Sequence, residues 1–345
     1  MKIIHCADFH FGRPFSCFDS EKTAAVRREE QFSALRKIAD MAKNCDALLI
    51  SGDLFDNPKP ETAMIEKVTG ILKTVPRVFI APGNHDPKEL YEKISLPENV
   101  YVFAGKTEAC DCGDFVVYGN SGCEIGEVTL DSNKINILCI HADVNGNGDY
   151  NSITENELSS YGFDYVALGH IHKYSGAKKI GKTTFAYCGA PIAGGFDETG
   201  EKGVIRAEFS SETVKTEFIT IDERAFYEIT VVLDNAEGYG DIEIPQHSEK
   251  DFYKIVLKGT VSPDFVLRAD AFRDLISDKF YYVKVKNEAR RHISYEKLAE
   301  EYSLKGIFVR KMLERIKKDP ENPELVKALE TGVLILEGKK AEEVL

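Results

Sequence analysis

The sequence has no apolar run approaching the roughly 18 residues that a membrane-spanning helix requires, no excess of positive charge, little proline, no internal repeat and no low-complexity segment. Each absence removes a class of protein. Without a long apolar run there is no span, and Met1-Lys2-Ile3-Ile4-His5 enters a strand-like run directly rather than a signal peptide, so a cytoplasmic protein with no membrane partner is expected. With 44 Lys and Arg against 57 Asp and Glu, a formal charge of −13, the chain cannot coat nucleic acid or an anionic membrane by bulk electrostatics. Any anionic substrate must be gripped locally. Twelve prolines in 345 positions, with 43% apolar and 29% charged residues, exclude collagen-like and disordered classes and leave an ordinary globular protein of about two domains with a small third piece.

Eight cysteines are scattered, and Cys6, Cys139 and Cys188 lie inside apolar runs, where a cysteine is a small buried hydrophobe with a reduced thiol. Cys110-Asp111-Cys112 lacks the second pair that a structural metal site would need, and reads as a surface turn.

The first two-thirds repeats one pattern, an apolar run followed by a polar or glycine-containing turn and often an amphipathic segment, which is the rhythm of α/β folding. The runs are Ile3-Ile4, Ala47 to Ile50, Val78 to Ile80, Ile137 to Ile140 and Tyr165 to Leu168, without inside-outside alternation, as expected of strands buried on both faces. Helical spacing of apolar residues predicts helices over 29–43 and 62–73. After Pro191 the pattern alternates over 203–209 and 214–221, which predicts a second sheet closing the first domain near residue 225. Strands over 227–233, 253–258 and 281–285 and a helix over 265–277 then predict a small α+β unit. The tail from Ser294 carries two amphipathic stripes, Leu304 to Ile316 and Leu325 to Leu336, broken at Asp319-Pro320-Glu321-Asn322-Pro323.

Every strand-like run of the first domain ends in a metal-capable side chain: Asp8-Phe9-His10, Gly52-Asp53, Gly83-Asn84-His85-Asp86, His141, and Gly169-His170-Ile171-His172. In open α/β sheets sites form beyond the carboxyl ends of strands, so five ends distant in sequence converge in space. Asp gives hard oxygen and can bridge two cations, imidazole suits Mn, Fe, Zn or Co, and an Asn carbonyl adds a neutral oxygen. Such a set suits a two-metal centre, and two cations roughly 3.5–4 Å apart are suited to phosphate-ester hydrolysis. Gly52, Gly83 and Gly169, one residue before a candidate ligand, read as tight turns or places of close backbone approach to metal. Each motif alone has an ordinary structural reading, such as a helix N-cap for Asp53, a turn for Asn84-His85 or a core histidine for His141. Five in this order do not. His5, His247 and His292 lack such context and read as structural or surface residues.

These motifs, in this order, resemble the signature of the calcineurin-like metallophosphoesterase superfamily over roughly residues 1–190. The resemblance implies an α/β (α+β) fold, a four-layer β-sandwich of two sheets flanked by helices, with a dinuclear centre. A narrower resemblance, carried by Ile4 to Asp8, Arg13-Pro14-Phe15, Ser51 to Asp56, Gly169 to Lys173, Tyr187 to Pro191 and the tail Leu304 to Leu313, is to DNA repair exonucleases, the nuclease subunit of the SbcCD complex and its YhaO-like relatives. Two features depart from that pattern: Cys188 stands where Pro is usual, and Ile192-Ala193-Gly194-Gly195 lacks basic residues often found after that turn, which withholds a basis for DNA contacts there. The resemblance implies one metal held by Asp8, His10, Asp53 and His172 and another by Asp53, Asn84, His141 and His170, with Asp53 bridging. It places His85 over the scissile phosphate as the catalytic residue that stabilises charge or protonates the leaving 3′-oxygen. Asp86 is expected to stand behind His85 and orient it.

The expectation is therefore a Mn-dependent DNA nuclease using two divalent ions, Mn first and Mg, Fe or Zn as alternatives. Residues 1–225 would form the metallophosphoesterase domain, 226–290 a DNA-facing capping domain, and 291–345 a helical segment docking on an SMC-like (SbcC-like) ATPase subunit, with a homodimer as a further partner state. Residues 284–318 carry 11 Lys and Arg against 5 Asp and Glu, a strip suited to a DNA backbone or an acidic partner helix, or to a solvated helix face. The other enzymatic reading keeps the site and takes small nucleotides as substrate. A metal-shaped scaffold would have no use for His85.

Overall fold

In the computed structural model the described residues are 1–122, 125–146, 151–210 and 213–338. Two compact units are present, one of Met1–Glu228, Ser248–Lys254 and Phe280–Tyr282, the other of Ile229–His247, Ile255–Lys279 and Val283–Leu345.

The first unit holds two mixed six-stranded sheets. In one, Val214–Thr220, Gly203–Phe209, Lys2–Cys6, Ala47–Ser51, Val78–Ala81 and Val100–Val102 lie side by side in that order. The last four are mutually parallel and the first two antiparallel. In the other the order is Lys178–Ile180, Thr183–Tyr187, Tyr165–Gly169, Ile135–His141, Phe115–Gly119 and Glu108–Asp111, parallel except at its two edges. Ile3, Leu49 and Phe79 from the first sheet pack on Val117, Ile137, Tyr165 and Ala167 from the second to make the inner core. On the outer side of the first sheet, Phe32, Leu35 and Ile38 of helix Glu21–Ala42 and Val68 and Leu72 of helix Thr62–Leu72 cover Ile4, Leu48, Ile50 and Ile80. Leu158 of the short helix Glu155–Tyr161 packs with Leu138, Val166 and Leu168 on the outer side of the second. Each such fully buried aliphatic side chain contributes about 1.5–3 kcal/mol of transfer free energy. Helix, sheet, sheet, helix is the four-layer α/β arrangement expected.

Two expectations for the first unit change. Strands 203–209 and 214–220 do not found a second sheet. They return antiparallel to the edge of the first, with Ile3 opposite Ala207 and Ile205 opposite Phe218. Alternation reveals a half-exposed edge strand but not which sheet it joins. The first helix begins at Glu21 rather than near 29. The Ser20 side chain accepts from the Thr23 N–H, and the added turns bury Ala24 and Arg27. Arg27 hides this in the sequence because its charge breaks the apolar stripe. It is 1% exposed and donates to Asp222 and to the Ala193 carbonyl.

Also in the first unit, Phe15, Phe18 and Ala193 pack with Phe226 and Phe252, the opening residues of strands Phe226–Ala236 and Phe252–Val261. The second unit contains the remainder of those strands and of Tyr282–Asn287, with Arg290–Arg291 pairing parallel to Thr260 and Val261. Its helix Ala269–Ile276, shorter than predicted, buries Phe272 and Ile276. The tail forms helices Tyr295–Glu300, Leu304–Lys318 and Pro323–Leu336, and Val309 and Met312 pack on Leu329 and Val333. Ser303 and Asn322 cap the two longer helices, and Pro323 fits the first helical position because its missing N–H has no partner to lose there. The end of the expected helical segment, 339–345, lies outside the described residues. Among the described residues no helix is long and apolar enough to cross a membrane.

Candidate metal centre

The parallel strands of both sheets end on the same side, and their five loops meet there. Backbone strain is concentrated at this point. Asp8 (φ 55°), His10 (φ 50°), Asp53 (φ 50°) and His170 (φ 104°) all occupy the left-handed half of conformational space, which costs a non-glycine residue on the order of 1–3 kcal/mol. Hydrogen bonds between the loops offset that cost. Asp8 N–H donates to the Gly52 carbonyl at 3.0 Å, His10 N–H to Asp53 at 2.9 Å and Phe11 N–H to Leu54 at 2.9 Å. The His170 N–H donates to the Asp8 carboxylate at 3.1 Å. Gly52 makes a tight turn, at φ 91°, and all three glycines are places of close approach to neighbouring groups. A Cβ on Gly52 would fall on the His141 ring, one on Gly83 on the Asp53 carboxylate and its N at 2.5 Å, and one on Gly169 on the Ser51 carbonyl. They clear space for neighbouring loops and side chains.

The side chains converge as a set of electron-pair donors. His172 Nδ1 donates to Glu198 Oε1 at 2.9 Å, which turns Nε2 toward His10 Nε2, 3.1 Å away. His10 Nδ1 lies 3.2 Å from Asp56 Oδ1. His141 Nδ1 donates to the Ser51 carbonyl at 2.8 Å, and its Nε2 faces Asn84 Oδ1 at 3.0 Å and Asp53 Oδ2 at 3.4 Å. Asp53 Oδ2 is also 3.6 Å from His10 Nε2, so one carboxylate oxygen stands between the two groups. Among the described residues, three sets have ligand atoms within 4.8 Å of one another: Asp8, His10 and His172; Asp8, Asp53 and His141; His10, Asp53 and His85. Lone pairs of two facing imidazoles and of buried carboxylates repel unless a proton or a cation lies among them, and mixed N and O donors suit Mn, Fe, Zn or Mg. The residues therefore fit divalent metal.

The electrostatics agree. Burial pushes the Asp53 carboxyl up, but hydrogen bonding and charge attraction from His141 and then His10 outweigh it and hold Asp53 at about 2. Burial likewise opposes a charge on His141, and Asp53 and Asp8 overcome it, raising His141 to about 9. Asp8 is raised by burial against the pull of His141 and His172. His170 is lowered, by burial and by the neighbouring His141 charge. The pocket floor calls for positive charge.

Asp8, His10, Asp53 and His141 form that buried floor, while Asn84 and His85 are exposed and His170 and His172 half-buried. His170 belongs to none of the three sets, and its ring meets His141 edge-on with centroids 5.3 Å apart. His85 stands edge-on to His10 at 4.7 Å. Its Nδ1 donates to the Asp56 carbonyl at 2.9 Å. Asp86 does not orient His85, contrary to expectation. Fully buried, it accepts from the N–H groups of Gly83 (2.8 Å), Asp53 (3.1 Å), Leu54 (2.7 Å) and Phe55 (3.2 Å) and from Tyr91 Oη (2.5 Å). It ties the Asp53 loop to the Asn84 loop. Burial raises it to about 6 even against those donors.

Sequence reasoning singled out neither Glu198 nor Tyr91, which belong to no motif and reach the site only through the fold, and it gave no role to Asp56, the last residue of the Ser51 to Asp56 motif. It also missed that the turn at Ile192 to Gly195 has a basic neighbour from elsewhere: a Cβ on Gly194 would fall on the Arg13 guanidinium. His5 donates and accepts within the core, at 2.9 Å from Tyr165 Oη and 3.2 Å from the Leu168 carbonyl, and burial lowers it to about 3. His247 lies between the Pro245 and Lys279 carbonyls. Cys110 and Cys112 are half-buried, and neither belongs to a metal-capable set among the described residues.

The model of the family described as calcineurin-like phosphoesterase matches residues 1–174. The chain is 25% identical over 288 residues to the uncharacterized metallophosphoesterase YhaO of Bacillus subtilis, covering 75% of this chain and 69% of that one. It is 24% identical over 309 residues to the DNA double-strand break repair protein Mre11 of Methanopyrus kandleri (77% and 67%). To the SbcD component of the nuclease SbcCD from Staphylococcus saprophyticus it is 26% identical over 275 residues (64% and 69%).

Proposed function

The chain belongs to the calcineurin-like phosphoesterase family of metal-dependent hydrolases, and on that premise we propose that it is a Mn-dependent nuclease that hydrolyses DNA phosphodiester bonds. One metal would be held by Asp8, His10, Asp53 and His172 and a second by Asp53, Asn84, His141 and His170. The observation that carries this reading is the position of Asp53 Oδ2 between His10 Nε2 at 3.6 Å and His141 Nε2 at 3.4 Å, where one carboxylate can serve both. Divalent cations held there supply Lewis acidity toward phosphoryl oxygens and lower the pKa of water.

The chain's own residues do the rest. The buried floor fixes Asp8, Asp53 and His141 so that no reorganisation is needed when charge develops. His85, anchored through Nδ1 on the Asp56 carbonyl, presents Nε2 to the scissile phosphate, where the ring protonated on both nitrogens stabilises the developing charge or passes its Nε2 proton to the leaving 3′-oxygen, a step that contributes roughly 10²–10⁴-fold. Asp86 keeps the Asp53 and His85 loops in register through its backbone donors.

DNA as substrate is supported by relatives named for double-strand break repair and nuclease function. Residues 226–290 then act as a DNA-facing cap and the C-terminal helices dock on an SMC-like ATPase subunit. The strip 284–318, 11 basic against 5 acidic residues, gives the backbone grip that the −13 chain otherwise lacks. The test is end-labelled duplex and hairpin DNA with Mn, with and without the ATPase. Mn-dependent digestion is expected. Rapid turnover of small phosphodiesters with DNA untouched would replace the substrate by small nucleotides.

A further inference from the structure

We propose that Glu198 is a positioning residue for His172, itself fixed by Arg13 and Lys202, and that this clamp sets the affinity of the metal site on the His10 and His172 side. The proposal rests on the reading of the loops as a divalent-metal centre. Glu198 lies 26 positions from His172 and is only 8% exposed. Its Oε1 accepts from His172 Nδ1 at 2.9 Å and from Arg13 Nη1 at 2.8 Å. Its Oε2 accepts from the Gly194 N–H at 3.0 Å and lies 3.8 Å from Lys202 Nζ. Lys202, 4% exposed, donates to the His172 backbone carbonyl at 2.7 Å. The ring and the backbone of one histidine are thus held by one buried cluster.

A carboxylate can only accept, so the bond to Glu198 places a proton on His172 Nδ1 and keeps Nε2 as the lone pair that faces His10. Arg13 and Lys202 stabilise the charge on Glu198 and stop it from turning away. Arg13 fits because Gly194 has no Cβ, which would occupy the guanidinium's place. The plainer reading is an ion cluster that holds three loops together. Buried ion pairs seldom contribute net stability, however, since desolvation cancels most of the attraction. A stability role also gives no reason for both histidine contacts to converge on the same cluster.

The test is Mn titration of the full chain by calorimetry, with the Mn-free melting temperature measured alongside. The wild type should bind two Mn. Glu198→Gln should keep one site at wild-type affinity and weaken the other by ~10–100-fold, the usual cost of losing such a carboxylate behind a ligating histidine. Glu198→Asp should recover part of the loss. Arg13→Gln, which leaves the Glu198 bond to His172 in place, should weaken the same site by less, and it serves if Glu198→Gln does not fold. Glu223→Gln, an exposed carboxylate paired with Lys37, should leave both sites and the activity unchanged. Two wild-type sites in Glu198→Gln, with only the melting temperature lowered, would overturn the proposal. A wild type that binds no Mn would instead remove the metal reading beneath it.

Discussion

The two sides of the centre anchor their histidines differently. On one side His141 Nδ1 donates to a backbone carbonyl, that of Ser51, inside the sandwich. On the other, His172 Nδ1 donates to Glu198, a side chain held by Arg13 and Lys202 at the edge of the site. A carbonyl anchor is neutral and rigid and is removed only with the strand that carries it. A carboxylate anchor is charged, makes the imidazole more basic and can be changed by a single substitution. The His141 side is built into the fold, and the His172 side is tuned by residues added to it.

Asp53 joins both sides, so its loss should have the largest effect. Asp53→Ala should remove both metals and reduce hydrolysis by on the order of 10⁴-fold or more, the scale seen when a central member of a catalytic unit is removed, with retained circular dichroism showing an intact fold. His85→Ala should cost roughly 10²–10⁴-fold in turnover while metal binding stays at two per chain, because His85 serves substrate rather than either anchor. Gly52→Ala tests the rigid side alone. A methyl at φ 91° on the His141 ring should cost about 1–3 kcal/mol of stability and weaken the His141-side metal more than the His172-side one, read by thermal melts and Mn titration.

The remaining effect is confined to acid pH and concerns a histidine that belongs to neither side. His5 is buried and neutral, its pKa lowered to about 3. Its folded value lies below the unfolded one near 6.5, so the stability it permits is complete above pH 6.5 and falls as pH drops toward 3, by at most about 1.4 kcal/mol per pH unit. Acid titration of melting temperature should therefore be shallower in His5→Gln between about pH 6.5 and 4. An unchanged slope would show that other groups set the acid limb.

How much was legible follows from where the information lies. Asp8, Asp53, His141 and His170 each close an apolar run, so strand pattern and ligand are written in adjacent residues. Glu198 acts across folded space, 26 positions from the histidine it holds, and has no such neighbour. Adjacency also misleads: Asp86 follows His85 directly, yet it turns inward to the N–H groups of Gly83, Asp53, Leu54 and Phe55. The strands at 203–209 and 214–220 were readable as strands, but their attachment beside Ile3 and Ile4 depends on a chain reversal that alternation does not encode. Arg27 concealed the start of the first helix because a buried, paired arginine has the same letter as an exposed one.

Electron paramagnetic resonance of the full chain titrated with Mn tests the central claim most directly. If Asp53 bridges two sites, the second equivalent should replace the isolated six-line signal with the broadened spectrum of an exchange-coupled pair, and Asp53→Ala should show free Mn alone. A six-line signal that persists unbroadened at two equivalents, or that survives in Asp53→Ala as bound Mn, would contradict a shared centre.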